Sequence, residues 1–252
     1  MPQTEDTTAT ALGWFGELDR WIQDHGLRGY DPFDVKQHPI IRAAQAHPLP
    51  RKATTVLCDF FPNLIRRALR VAPTENPKAH ALAALAALRY HERFDSPHHL
   101  DRALNHLAWL REHPAPGHKN PCWGYPFHIR AKGLETPPNT PIGVVTAIAA
   151  EAFREAHRLT NDATHLDTAR AIANFFLEDL PKLDTPNGAH CFAYTPTDCR
   201  RVHNANLLAC ECLLATAHAC NAPAVAQPAL PALDFTLRRQ RDDGAFPYGE
   251  PN

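Results

Sequence analysis

A helix-opening pattern occurs twice in this chain. His99-Leu-Asp101-x-Ala103 returns 66 residues later as His165-Leu-Asp167-x-Ala169, each copy after a short turn, Asp95-Ser-Pro97 in one case and Asn161-Asp162 in the other. A period of that kind marks a fold made by stacking like helical hairpins, because one hairpin alone cannot bury its apolar face. Beyond each repeated helix comes a loop with an aromatic-x-Tyr pair, Trp123-Gly-Tyr125 and then Phe192-Ala-Tyr194, and a third pair, Phe246-Pro-Tyr248, lies near the end. Hairpins that return these loops to the same end would gather the three tyrosines on one rim.

The segments between turns are rich in Ala, Leu, Arg and Glu, with apolar residues three and four apart, while Gly and Pro collect between them. That spacing predicts an all-α chain with helices at roughly 8–25, 33–47, 51–71, 77–93, 97–112, 140–159, 163–180, 204–220 and 223–240. Trp14, Leu18, Trp21 and Ile22 give the first an apolar face, and Pro62, Pro228 and Pro231 predict breaks or kinks. Residues 1–252 are expected to form one domain, with 1–10, polar and acidic, flexible. The long stretches 114–139 and 181–202 are the places to look for function, since long loops in compact folds are seldom idle.

Charge and cysteine content narrow the function classes. With 26 basic and 27 acidic residues the net charge is −1, so nothing favours nucleic acid or an anionic membrane. No secretory-type leader and no apolar run of bilayer length is present, which predicts a cytoplasmic chain without a membrane span. The seven cysteines are an odd number, and Cys58, Cys210, Cys212 and Cys220 lie in Ala/Leu-rich helical stretches, where thiols behave as small hydrophobes. Cys210-x-Cys212 points two ways on a helix and does not make a metal site. Of the sixteen histidines, His98 and His99 begin a helix at a turn and His25, His38, His47 and His113 sit beside Gly or Pro in expected loops, as solvated residues would. No metal and no cofactor is expected, and phosphate-loop, dinucleotide and Gly-x-Ser-x-Gly motifs are absent.

The densest polar stretch is Tyr194-Thr-Pro-Thr-Asp198-Cys-Arg-Arg201-Val-His203-Asn204-Ala-Asn206, which runs into the apolar segment 207–219. Asp198, Asn204 and Asn206 are helix-capping types, and the free N–H groups of a first turn attract anions or hydroxyls. The plain alternative is that one asparagine caps the helix while Arg200 and Arg201 sit in water.

The order of motifs is itself informative. Gly29-Tyr-Asp-Pro-Phe-Asp34, Asn76-Pro-Lys78, Cys122-Trp-Gly-Tyr125, Thr140-Pro with Val144-Val-Thr-Ala147, Tyr194-Thr-Pro-x-Asp198, Arg201-Val-His-Asn-Ala-Asn206 and Gln240-Arg-x-Asp-Gly-x-Phe-Pro-Tyr-Gly-Glu250 follow one another along the chain. This order resembles a bacterial family of α/α-toroid proteins associated with cell-surface polysaccharide and exopolysaccharide biosynthesis, similar in fold to terpenoid cyclases and six-hairpin glycosidases. The resemblance implies an α/α toroid, a six-hairpin-like barrel, with a carbohydrate or glycolipid ligand at its rim. Two departures stand out. Pro126-Phe127-His128-Ile129 replaces an acidic, aromatic stretch that follows Trp-Gly-Tyr in the family, and the chain stops at Pro251-Asn252 where the family continues. The ring is therefore expected to be incomplete at its C-terminal edge, and self-association through that edge is expected.

Carbohydrate sites combine stacking aromatics with a few charged and amide groups. Trp123, Tyr125, Arg201, Asn204, Asn206, Asp243, Tyr248 and Glu250 are the expected substrate-binding set. Asp198, His203 and Tyr194 are the expected catalytic ones. Glycoside cleavage would need two carboxylates about 5 to 9.5 Å apart, drawn from Asp198, Asp243 and Glu250. Epimerisation or elimination would need a base and a proton donor, for which His203 and Tyr194 are suitable. Against Asp243 stands the common Asp-Gly turn. Two other classes remain open: a non-catalytic scaffold or partner-binding subunit, and an isoprenoid-binding toroid like the terpenoid cyclases.

Overall fold

The computed structural model describes residues 3–31, 33–46, 48–131, 134–185 and 188–250. Pro251 and Asn252, where the ring was expected to lie open, fall outside these, as does His47 of the expected second helix. The chain forms two compact units, one up to Asn76 and the other from Pro77 on.

The first unit opens with α1 (Gln3–His25), which occupies most of the stretch expected to be flexible. The single helix expected over 33–47 is two, α2 (Asp34–Gln37) and α3 (Pro39–Gln45). Pro39 forces His38 into an extended conformation, with ψ 135°. The break expected at Pro62 separates α4 (Pro48–Phe60) from α5 (Pro62–Leu69). Val35, Ile41, Cys58 and Ile65 form the small core. Arg66 ties the Gly29–Asp34 motif to α5. Its Nε pairs with Asp34 at 3.0 Å, its Nη2 donates to the Asp31 carbonyl, and its guanidinium lies 4.7 Å over the Tyr30 ring.

The second unit is a succession of hairpins. Its helices are α6 (Pro77–Phe94), α7 (Pro97–Glu112), α8 (Gly143–Thr160), α9 (Ala163–Asn174), α10 (His203–Ala219), α11 (Pro223–Ala226) and α12 (Ala229–Leu237). α9 continues into a π-helical turn, Phe175–Asp179. α6 packs on α8 and α8 on α10, while α7, α9 and α12 each pack on the inner partner that precedes them. Inner and outer helices in alternation are the repeating arrangement of an α/α toroid. Alanines such as Ala81, Ala84, Ala149, Ala150 and Ala209 let the inner helices approach closely. Pro228 precedes α12 as expected. Pro231 does not break it, because it sits in the first turn, where a backbone N–H would have no helical partner.

The repeat now has a physical reason. His99 on α7 packs 4.1 Å from the Tyr90 ring of α6, and His165 on α9 packs 6.2 Å from the Phe153 ring of α8. These two outer helices, α7 and α9, thus each begin by packing a histidine against an aromatic of the inner helix before it.

Three short antiparallel ribbons trim the helices, which the all-α reading did not include: β1 (Arg28–Gly29) with β2 (Thr74–Glu75), β3 (Ile129–Ala131) with β4 (Leu134–Thr136), and β5 (Lys182–Asp184) with β6 (His190–Phe192). Strands of two or three residues are too short to show alternation in sequence. Among the described residues no helix is long and apolar enough to cross a membrane, and no group of three or more His, Cys, Asp or Glu is placed to hold a metal ion. The cysteines are unpaired, and burial pushes Cys210 and Cys212 up to about 12, so they remain thiols.

A histidine pair, His80 buried and His106 half-buried, makes stability depend on pH. His80 of α6 and His106 of α7 meet Nδ1 to Nδ1 at 3.2 Å, and Trp109 stacks on His80 at 3.8 Å. Burial first, then the neighbouring His106 and His113, lower the His80 pKa from 6.5 to about 3. Between those values the unfolded chain binds a proton that the folded chain refuses. Stability is therefore full above pH 6.5 and falls as pH drops towards 3, by at most about 1.4 kcal/mol per pH unit for this group. Urea denaturation at pH 7 and pH 5 is expected to show a loss of about 2 kcal/mol, much reduced in His80→Gln; equal stability at the two pH values would contradict it.

Candidate functional site

The long connections of the second unit meet at one end of the inner helices. The Ile142 N–H donates to the Trp123 carbonyl at 2.9 Å, and the Asn139 N–H donates to the Tyr125 carbonyl at 2.7 Å, which lays the first loop against the start of α8. The Gly143 N–H then donates to the Tyr194 carbonyl at 3.2 Å, joining the second loop to the same helix end. At α10 the His203 N–H donates to the Tyr248 carbonyl at 3.0 Å, and Val202 bridges to Gly249. Loops around 114–139, 181–202 and 238–250 are thus adjacent.

Tyr125, Tyr194 and Tyr248 come together here. Tyr194 lies within electrostatic reach of both others, and burial is the chief cause that raises its hydroxyl to about 12, so it stays protonated as a donor. Tyr125 stacks on Phe127 at 5.1 Å, and Tyr248 is 73% exposed. Asp198 closes a tight turn: it accepts from the Arg200 N–H at 3.0 Å and pairs with Arg200 Nε at 2.7 Å. That pair fixes the Arg200 guanidinium 5.5 Å over the Tyr194 ring. Asn204 is exposed in the first turn of α10. The start of α10 is not capped by a side chain, since Val202 occupies the cap position.

Several expected site residues have other work. Trp123 is 1% exposed; its Nε1 donates to the Leu110 carbonyl at 3.1 Å and its backbone N–H to Thr146 Oγ1, so it anchors the loop. Asn206 is wholly buried and holds Phe192, Ala232 and Thr236 together. His203 is 1% exposed, stacks on Phe235 and bonds Thr236 Oγ1 through Nδ1 at 3.1 Å. Burial lowers its pKa, and the 248–250 segment is hydrogen-bonded at its helix start, so this histidine sits neutral in the core, and among the described residues its Nε2 has no partner. Arg201 turns to the Asp184 carbonyl at 3.3 Å. Asp243 accepts from the Ala245 N–H in a turn, and Glu250 pairs with Arg239.

Sequence reasoning missed Arg200. Nothing in an Arg-Arg pair tells which arginine faces the tyrosines; the Asp198-x-Arg200 turn does. For His203 and Asn206 a signal existed. Residues three apart share a helix face, so both point into the core while Asn204, off that face, points out.

No family model matches the sequence, and no curated protein matches it. Among solved structures the chain is similar to a family 76 glycoside hydrolase from a bovine Bacteroides thetaiotaomicron strain, at 11% identity and a TM-score of 0.50, over 69% of this chain and 38% of that one. It is also similar to the cellobiose 2-epimerase from Bacillus thermoamylovorans B4167, at 14% identity and a TM-score of 0.51, over 90% of this chain and 66% of that one. The chain thus spans less than two thirds of either protein's length. At these identities the likeness is one of fold, and the fold is that of the α/α toroids with six-hairpin architecture.

Proposed function

We propose that this protein recognises a sugar, or the sugar head of a glycolipid, at the rim where Tyr125, Tyr194 and Tyr248 converge, and that it serves surface-polysaccharide biosynthesis in the cytoplasm. The observation that carries the reading is that convergence, with the Asp198–Arg200 pair beside it. Aromatic faces pack on the C–H faces of a sugar ring, and an ion pair with one open side binds hydroxyls in both senses. The similar structures, a glycoside hydrolase and a cellobiose epimerase by their names, agree with a sugar ligand. The link to polysaccharide biosynthesis rests on the motif order. Recognition is favoured over hydrolysis because Asp243 and Glu250 are engaged in a turn and an ion pair. If the site performs acid–base chemistry, Tyr194 is its proton donor, and Asp198 would have to leave Arg200 to serve as its base.

Thermal-shift measurements with nucleotide sugars, oligosaccharides and prenyl phosphates test this. A saccharide is expected to raise the melting temperature, and Tyr125→Ala or Arg200→Ala to weaken its binding about tenfold, the loss of one stacking or charge-assisted contact. Stabilisation by prenyl phosphates alone would instead favour an isoprenoid site. A second reading, self-association with another copy of the chain, is supported by exposed Trp14, Leu18 and Trp21 on α1 and Phe60, Phe61 and Leu64 across α4 and α5. Sedimentation velocity should then show mass rising with concentration; a monomer throughout would discard it.

A further inference from the structure

A cleft of about 460 Å³ opens between the outer helices α7 and α9 and the loop that follows α7; Trp123 lines it, but none of the three rim tyrosines does. Its polar lining includes Arg111, His118, Lys119, Asn120, Asp167 and Thr168. Arg111 is the unusual one. Its Nε donates to Thr168 Oγ1 at 3.3 Å and its Nη2 to Thr164 Oγ1 at 3.4 Å and to His165 Nδ1 at 2.9 Å, while its guanidinium lies 5.1 Å over the Phe153 ring. These partners are neutral. Among the described residues no carboxylate lies in ion-pair contact with it, Asp162 interacting only at longer range, and the guanidinium is exposed to solvent with donors left for an anion.

The lining from the loop after α7 is also fixed. The π-helical turn that ends α9 presents Glu178 and Asp179, which hold the Asn120 amide at 3.3 and 3.0 Å, and Glu178 also holds Lys119 at 2.8 Å. Asn120 is 7% exposed. π turns of this kind are frequent at functional sites. The volume suits one small molecule. Asp167 is the one acidic side chain among the lining residues.

We propose that this cleft binds a small, sugar-sized molecule with one anionic group, a phosphate or a carboxylate, which takes the open side of the Arg111 guanidinium. His118 and Lys119 lie on the same lining and add donors to the ligand's polar body. The site does not depend on the rim: either can fail without the other.

Calorimetric titration with glucose 6-phosphate, glucuronate and glucose tests the proposal. At least one of the two acidic sugars is expected to bind tenfold or more tighter than glucose, and the stronger of them tells phosphate from carboxylate. Arg111→Gln is expected to remove that advantage. Should that variant fold poorly, Asp167→Asn carries the test: this exposed change removes a like charge and is expected to tighten acidic-sugar binding several-fold. Acidic sugars binding no tighter than glucose, or an Asp167→Asn variant with unchanged or weaker affinity, would overturn the assignment.

Discussion

Gly124→Ala is expected to destabilise the second unit by about 3 to 5 kcal/mol, the combined scale of a hard overpacking clash and lost buried hydrogen bonds. A Cβ at this position would stand 1.8 Å from the Thr140 carbonyl oxygen and 2.6 Å from its carbon, and both are backbone atoms that no rotamer change can move aside. The two segments would have to part. The bonds most at risk lie on either side, Ile142 N–H to the Trp123 carbonyl and Asn139 N–H to the Tyr125 carbonyl. Losing them would release Trp123 from Leu110 and carry Tyr125 away from the rim, so saccharide binding should fall along with stability. Urea denaturation followed by tryptophan fluorescence measures the first effect. A variant within 1 kcal/mol of wild type would show that the loop relaxes without cost.

Asn206→Ala is expected to cost about 4 kcal/mol. Its Oδ1 accepts from the Phe192 N–H at 2.9 Å, and its Nδ2 donates to the Ala232 carbonyl at 2.6 Å and to Thr236 Oγ1 at 2.9 Å. Alanine would leave a buried N–H and a buried carbonyl without partners, at about 1 to 3 kcal/mol each, and a cavity besides. Because this side chain joins β6, α10 and α12, the loss should appear as lower cooperativity of unfolding as well as a lower midpoint. Asn204→Ala is the control, since that side chain is exposed; it should change stability by less than about 0.5 kcal/mol. Equal losses at the two positions would refute the distinction drawn between them.

That distinction shows how far sequence reaches. Trp-Gly-Tyr reads as a ligand-binding motif, and its first two residues are explained by architecture: Trp123 pins the loop and Gly124 lets it pass Thr140. The Asn204-Ala-Asn206 pair reads as two equivalent amides. Rotation of about 100° per residue sends one to the solvent and the other into the core.

What the sequence determined by itself was the hairpin succession. Apolar spacing, the doubled His-Leu-Asp-x-Ala pattern and the prolines at helix starts are local signals, and they place α6 to α10 within a few residues because helix start and stop depend on neighbours along the chain. The gathering of the three aromatic-x-Tyr loops also followed from those hairpins, as inner and outer helices alternate and return each long loop to one end. Tertiary structure alone decided which polar groups remain available. Whether Arg200 or Arg201 meets Tyr194, whether Glu250 is open or paired with Arg239, and whether Arg111 finds a carboxylate are settled by residues 11 to 54 positions away or by a single tight turn. A side chain's chemistry is local, but its desolvation and its partners are properties of the packed fold.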